Sequence, residues 1–197
     1  MPAALRPDTD WRRSPPVLSD NGLILREITQ DDAVPLIATL GTEDVIRFMS
    51  SLPSTLDSFA RFVAWNHEQR AAGHSIAFVV IPADIARPVG LFQIRSLEAA
   101  FATAEWGFAL GSLFWGSGLF ARSARLMLDF AFGTVGVRRL EARACAENKR
   151  GNGALRKLGA TPEGVLRRSF LWQGQYQDQV LWSILDSDWT TDAVATR

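Results

Sequence analysis

Cysteine, tyrosine, histidine and lysine are all scarce in this chain of 197 residues, and each scarcity removes a class of chemistry. Cys145 stands alone, so no intramolecular disulfide can form, which fits a reducing compartment. His67 and His74 cannot build a metal site without remote carboxylates, and none of these stands at ligand spacing, so no metal is expected. No apolar run approaches the ~20 residues that a membrane-spanning helix requires. The opening MPAALRPDTDWRRSPPVLSD lacks the continuous apolar stretch of a secretory signal, so a cytoplasmic location with no membrane partner is the expectation. Net charge is missing too: 21 basic residues meet 21 acidic ones. That balance argues against a chain whose main work is binding nucleic acid or an anionic membrane. Only Lys149 and Lys157 are lysines. The basic set is therefore arginine, which suits bidentate contacts to phosphate or carboxylate.

What the chain does have is the material for a core. Hydrophobic residues make up 47% and charged residues 21%, which excludes global disorder and is enough for one domain. Residues 1–20 hold four of the nine prolines and read as an irregular arm, with Trp11 placed to dock it. The domain then runs over 21–190, and 191–197 form a tail.

Leu23 to Ile28 reads as a strand bounded by Asn21-Gly22, and Thr29 to Asp32 supplies the cap of a helix ending at Gly41. Ser54 to Asp57 caps a longer helix that Gly73 ends. Residues 75–81 and 88–95 form a hairpin, followed by a strand from Thr103 to Leu110. An amphipathic helix runs from Leu119 to Phe132, then a strand from Arg139 to Ala144 and a short helix from Asn152 to Leu158. A terminal hairpin of 165–172 and 178–185 closes the pattern. This order predicts an α+β fold with a mixed, mainly antiparallel sheet of about seven strands and about four helices. Its one parallel step lies across the glycine turn between Leu110 and Leu119.

That turn, Trp115-Gly116-Ser117-Gly118-Leu119-Phe120, enters a helix. Glycines there let the backbone adopt positive φ and wrap its amides around an anion, and the unpaired N–H groups of the first helical turn add partial positive charge. The same residues, continued to Ala121, match the dinucleotide fingerprint G-x-G-x-x-A, with Glu141 downstream. The context opposes it, because hairpins precede the turn where parallel α/β repeats are required. No Gly-Lys-Ser/Thr follows, which excludes a Walker turn.

Four pieces, in this order, resemble the GNAT N-acetyltransferase superfamily and within it the RimJ/RimL-like branch of ribosomal-protein N-terminal acetyltransferases. They are Glu105-Trp106-Gly107-Phe108, Trp115-Gly116-Ser117-Gly118, Asn148 eleven residues before Gly159, and Gly174-Gln175-Tyr176-Gln177-Asp178. The resemblance covers about Leu23 to Trp189. It implies a V-shaped opening that holds acetyl-CoA between the Thr103–Leu110 and Arg139–Ala144 strands. The amides of Trp115, Gly116, Ser117, Gly118, Leu119 and Phe120 would bind the pyrophosphate, with Arg122 nearby. The strand edge of Phe108, Ala109 and Leu110 would pair with the pantetheine arm. Asn148 would hydrogen-bond pantetheine or the amine, with Asn152 beside it, and Lys149 and Arg150 would reach the ribose phosphate. The acceptor would be a protein N-terminus or a small amine, and a homodimer is compatible with the resemblance. Departures stand at Phe120, where the family has a small residue, and at Arg122, where the branch has a glutamate. Gly151 and Leu155 fall where relatives carry a serine or a tyrosine as acid, so no general acid carries over by position.

Acetyl transfer needs a neutral amine. Deprotonation at pH 7 costs roughly 1.4 kcal/mol for an α-amine of pKa near ~8, against roughly 4.6 kcal/mol for a lysine near ~10.4. A weak or water-mediated base therefore suits an α-amine. Glu105 is the first candidate for that base, flanked by apolar residues and two before Gly107; the alternative is a structural pairing with Arg95 or Arg143. Asp178 is the second catalytic candidate, with a hairpin-ordering role as its alternative. Two other functions stay open: a catalytically silent acyl-CoA-binding protein, and an acetyltransferase for small amines, for which the long helix offers only Asp57 and Glu68.

Overall fold

The computed structural model describes residues 10–49, 53–98 and 101–189. The chain begins with a hairpin: Asn21 and Gly22 both take positive φ, +41° and +79°, the two-residue loop whose twist matches paired strands. Through it β1 (Leu18–Asp20) pairs with β2 (Leu23–Glu27). Asn21-Gly22 thus joins two strands rather than starting one, and the end of the expected arm belongs to the sheet. Trp11 docks as expected, buried and edge-on to Phe101 at 5.6 Å. The rest of the arm, 1–9, and the tail lie outside the described residues.

Helices α1 (Ala33–Leu40), α2 (Glu43–Ile46) and α3 (Leu56–Ala71) follow, the last capped by Thr55 Oγ1, which accepts from Ser58 N. Strands β3 (Ser75–Pro82), β4 (Gly90–Ser96) and β5 (Thr103–Leu110) form an antiparallel run. Helix α4 (Leu119–Phe130) continues into a π-helical turn at Ala131–Val135 and leads to β6 (Arg139–Cys145). Helix α5 (Lys149–Lys157) starts three residues before the expected Asn152, because Asn148 Oδ1 accepts from Gly151 N at 2.8 Å and caps it. Strands β7 (Thr161–Trp172) and β8 (Gln175–Leu185) are longer than the sequence pattern suggests. Register shifts at Pro162/Gly164 and Leu166/Phe170 break the period-two alternation that would have marked them.

The eight strands lie in the order β1-β2-β3-β4-β5-β6-β8-β7, antiparallel except for β5 beside β6. This is the expected α+β architecture, with β1 and α2 added. One face packs on α4 and α5 around Phe78, Phe92, Phe130, Met127 and Trp182. The other packs on α1 and α3, where Leu36, Leu40, Phe59 and Val63 meet Ala77, Val79, Leu91 and Ala109. That second apolar layer draws no buried residue from β6, β7 or β8.

The sheet splits at one place. β5 pairs with β6 only over Thr103–Glu105 and Arg139–Glu141. Beyond that, β5 stays with β4 as far as Leu110 and β6 stays with β8 as far as Cys145, so the two strands part into a V.

Candidate active site

The opening exposes selected peptide groups of β5. Gly111 N donates to Val89 O at 2.9 Å, and the register places Leu91 opposite Ala109 and Gln93 opposite Gly107. Backbone groups alternate sides along an antiparallel pair, so Gly107 and Ala109 spend theirs on β4 while Phe108 and Leu110 turn theirs to the opening. Leu110 O is already taken by Trp115 Nε1 at 2.8 Å. The peptide groups of Phe108 and the N–H of Leu110 remain, a strand edge that an extended ligand can join.

The glycine turn sits at the wide end of this edge. Gly116 and Gly118 have φ of +77° and +82°, and a Cβ at either would meet no atom within 4 Å. Glycine is there for the backbone angle, not to relieve packing. Ser117 Oγ donates to Phe114 O at 2.7 Å and accepts from Leu119 N, which holds the loop open. Helix α4 begins at Leu119 with no side-chain N-cap, so after Leu119 N the N–H groups of Phe120 and Ala121 have no intrahelical partner. Phe120 resolves its own anomaly by turning inward, 4.7 Å from Phe108 and 5.9 Å from Phe92 between ring centroids. Arg122 does not point its charge at the turn alone: its Nη2 donates to Asp20 O and Asn21 O at 2.9 and 2.8 Å, tying α4 to the first hairpin.

Across the opening, Asn148 has two ends with different duties. Its Oδ1 caps α5, which fixes the amide orientation, and no group among the described residues accepts from its Nδ2. Gly151 makes room for this carboxamide, since a Cβ there would lie 2.7 Å from Asn148 Nδ2. Arg150 lies over the Trp115 ring at 4.4 Å, a cation–π contact that bridges α5 and the glycine turn. Asn152 is different from the expectation of a cofactor contact. It is buried, donating to Cys145 O and Asn148 O and accepting from Trp182 Nε1, so its carboxamide fixes α5 to β6 and β8.

The face of β5 to β8 that no helix covers carries charge. Glu105 Oε2 accepts from Arg95 and its Oε1 from Arg143. Arg143 also approaches Glu141 at 3.4 Å, Glu141 accepts from Arg139 at 2.9 Å, and Arg139 reaches Glu163 at 2.8 Å. Each of the three carboxylates in this row is held by arginine. The Arg139 guanidinium and then the Ser183 hydroxyl, both donating to it, pull the Glu163 carboxyl down to about 2.

The sequence matches the model of the acetyltransferase (GNAT) domain over residues 22–161. The chain belongs to the GNAT acetyltransferase family. It is 26% identical over 175 residues to the uncharacterized N-acetyltransferase YoaA of Bacillus subtilis, covering 86% of this chain and 97% of that one. It is 29% identical over 91 residues to the spermidine N(1)-acetyltransferase of Escherichia coli, 46% of this chain and 49% of that enzyme. Among solved structures, the ribosomal-protein-S5-alanine acetyltransferase of Vibrio fischeri superposes with a TM-score of 0.79 at 19% identity, over 88% of this chain and 98% of that one. The activity class is N-acetyl transfer and the family's acyl donor is acetyl-CoA.

In this GNAT chain Asp178 lies in the terminal hairpin. Asp178 Oδ1 accepts from Arg168 N at 2.8 Å, which orders the β7 irregularity where Arg168 has φ +52°. That contact matches its hairpin-ordering alternative. His67 Nε2 lies 2.8 Å from Ile28 O, and Tyr176 is exposed on β8. Cys145 is buried at the end of β6. Among the described residues, no group of three His, Cys, Asp or Glu side chains is placed to hold a metal ion, and no helix is long and apolar enough to cross a membrane.

One cavity near the opening was not expected from the sequence. A cavity of about 530 Å³ opens on the α1–α3 side, lined by residues of all three helices, by Leu91 of β4 and by Trp172 at the β7–β8 tip. Its parts are remote in sequence, and only the apolar Trp172 beside a hairpin turn could have hinted at it.

Proposed function

We propose that this GNAT enzyme moves the acetyl group of acetyl-CoA to the α-amine of a protein or peptide N-terminus. The observation that carries the acceptor choice is the arginine-held carboxylate row. A polyamine brings further ammonium groups that need carboxylates, and Glu105, Glu141 and Glu163 are each committed to guanidiniums. An α-amine brings one charge, which it sheds at roughly 1.4 kcal/mol near pH 7.

In this reading Gly116, Ser117, Gly118 and Phe120 offer peptide N–H groups to the pyrophosphate, Trp115 and Leu119 having theirs on Ser112 O and Ser117 Oγ, and Arg150 stands beside the phosphates. Phe108 and Leu110 pair with pantetheine as a strand would, and their N–H groups are the donors near the thioester oxygen. Asn148 Nδ2 donates to a pantetheine carbonyl. The amine nitrogen attacks the thioester carbon, the C–N bond forms, the C–S bond breaks, and CoA leaves as thiolate. The amine's proton passes to Glu105, directly or through water: its charge is balanced by Arg95 and Arg143, but each carboxylate oxygen accepts from only one of them and keeps a second lone pair for the proton.

The likeness to a spermidine N(1)-acetyltransferase supports a second reading, a small-amine acetyltransferase. Free CoA release, followed with acetyl-CoA and a panel of N-terminal peptides, lysine peptides and small amines, decides between them. Turnover on N-terminal peptides above all others is expected. Faster turnover on spermidine would replace the first reading, and tight acetyl-CoA binding with no turnover would sink both in favour of a silent acyl-CoA-binding protein.

A further inference from the structure

The cavity beside the opening carries information about the acceptor that the donor side does not. It is lined by Ile37, Ile46, Met49, Phe62, Leu91 and Trp172 among others, and no charged side chain among the described residues lines it. Its connection to the chemistry runs through the sheet register. Leu91 is the partner of Ala109, and both belong to the apolar layer on the α1–α3 face. Along β5 the same face then presents Gly107, whose Cβ position meets nothing within 4 Å, and Glu105. Cavity, open floor and carboxylate therefore follow one another on one face of the β4–β5 pair, the cavity at Leu91 of β4 and the other two on β5, about 7 Å apart per two residues.

We infer that the acceptor amine is flanked by an uncharged, apolar side chain, and that this side chain occupies the cavity. This rests on the α-amine reading of the proposed function. An amine lying over Gly107, within reach of Glu105, has its α-carbon one bond away and its first side chain directed along β5 toward Ala109 and Leu91. A leucine, methionine or phenylalanine side chain exchanges water for apolar walls there. An aspartate or lysine side chain would lose its hydration with no charged partner among the lining residues. Alanine and serine leave the cavity unfilled. The same chemistry is offered by a peptide that begins with a large apolar residue and by a free arylalkyl or amino-acid amine.

The test is a set of peptides that differ only in the first residue, Leu, Met, Phe, Ala, Ser, Asp or Lys, with leucinamide, phenethylamine and spermidine as free amines, assayed at saturating acetyl-CoA. Leu, Met and Phe are expected to exceed Ala and Ser in kcat/KM by about tenfold or more, with Asp and Lys lowest. Met49→Glu should remove this preference while acetyl-CoA affinity stays as in the parent. Trp172→Ala, at the hairpin tip away from the core, should weaken it in the same sense. A Leu peptide outrunning leucinamide and phenethylamine supports the inference with a polypeptide acceptor; either free amine outrunning the Leu peptide overturns the N-terminal reading on which it rests. Equal or better turnover of Ala, Ser, Asp or Lys peptides overturns it and leaves the N-terminal reading intact. Absence of turnover with every amine overturns both.

Discussion

The side of the opening assigned to acetyl-CoA and the side assigned to the acceptor are made from different materials. The first uses peptide groups: two glycines with positive φ, the first turn of α4, and the edge of β5. The second uses side chains from three helices, a central strand and a hairpin tip. A ligand shared across a family can be recognised by backbone, which any sequence with the right turn presents. An acceptor that varies between members must be recognised by side chains, so under the proposed function the apolar cavity and the arginine-held carboxylates are where this chain's specificity would lie. The contrast predicts that damage to the first side removes all activity, while damage to the second redistributes it.

The largest effect should come from Gly118→Glu. It forces a side chain onto a φ of +82° and puts a carboxylate where phosphate is proposed to bind, so acetyl-CoA Kd measured by calorimetry should rise at least ~100-fold. Unchanged affinity would remove the turn from the site. Next, Glu105→Gln should lower kcat about tenfold or more at pH 7 with acetyl-CoA Kd unchanged. A kcat at the parent level would return Glu105 to a purely structural pairing with Arg95 and Arg143. Asn148 separates its two ends: Asn148→Ala loses the cap and should cost about 1 kcal/mol in chemical denaturation. Asn148→Asp keeps the cap but loses the Nδ2 donor, so it should retain stability and raise the KM for acetyl-CoA. Equal KM values for Asn148→Asp and the parent would sink the donor role.

The smallest effect belongs to Glu163. Its carboxyl ionises at about 2, below the ordinary value of 4.5, because Arg139 and Ser183 donate to the charged form. A depressed carboxylate stabilises the fold fully above its unfolded value. That contribution fades as pH falls from about 4.5 toward about 2. Glu163→Gln should therefore be slightly less stable than the parent at pH 7, with the difference closing across that acid window. A constant difference down to pH 2 would contradict it. The site is partly exposed, which keeps the effect small.

The donor side was legible in the sequence because its elements are local. Thr103–Leu110 is the strand expected, and Leu119 starts the helix that the glycines announce. Asn148 was found through its spacing to Gly159, although its role as the cap that starts α5 early was not. Arg122, Asn152 and Asp178 were legible as polar residues near the right segments, but not in their bonds. A guanidinium on the first hairpin, a carboxamide against Trp182 and a carboxylate on Arg168 each depend on which remote segment arrives beside them.

By itself the sequence determined the order of strands and helices except β1 and α2, the turn with two glycines and the family. Side-chain periods of two and 3.6 residues, and the φ angles that glycine permits, are properties of a few neighbouring residues. Only the tertiary structure decided that β5 and β6 part after three residue pairs, that Phe120 turns into the aromatic core, that arginines claim Glu105, Glu141 and Glu163 on the open face, and that an apolar cavity stands over Leu91. Each of those follows from strand pairing and packing between segments tens of residues apart, where register, not local preference, sets which groups meet.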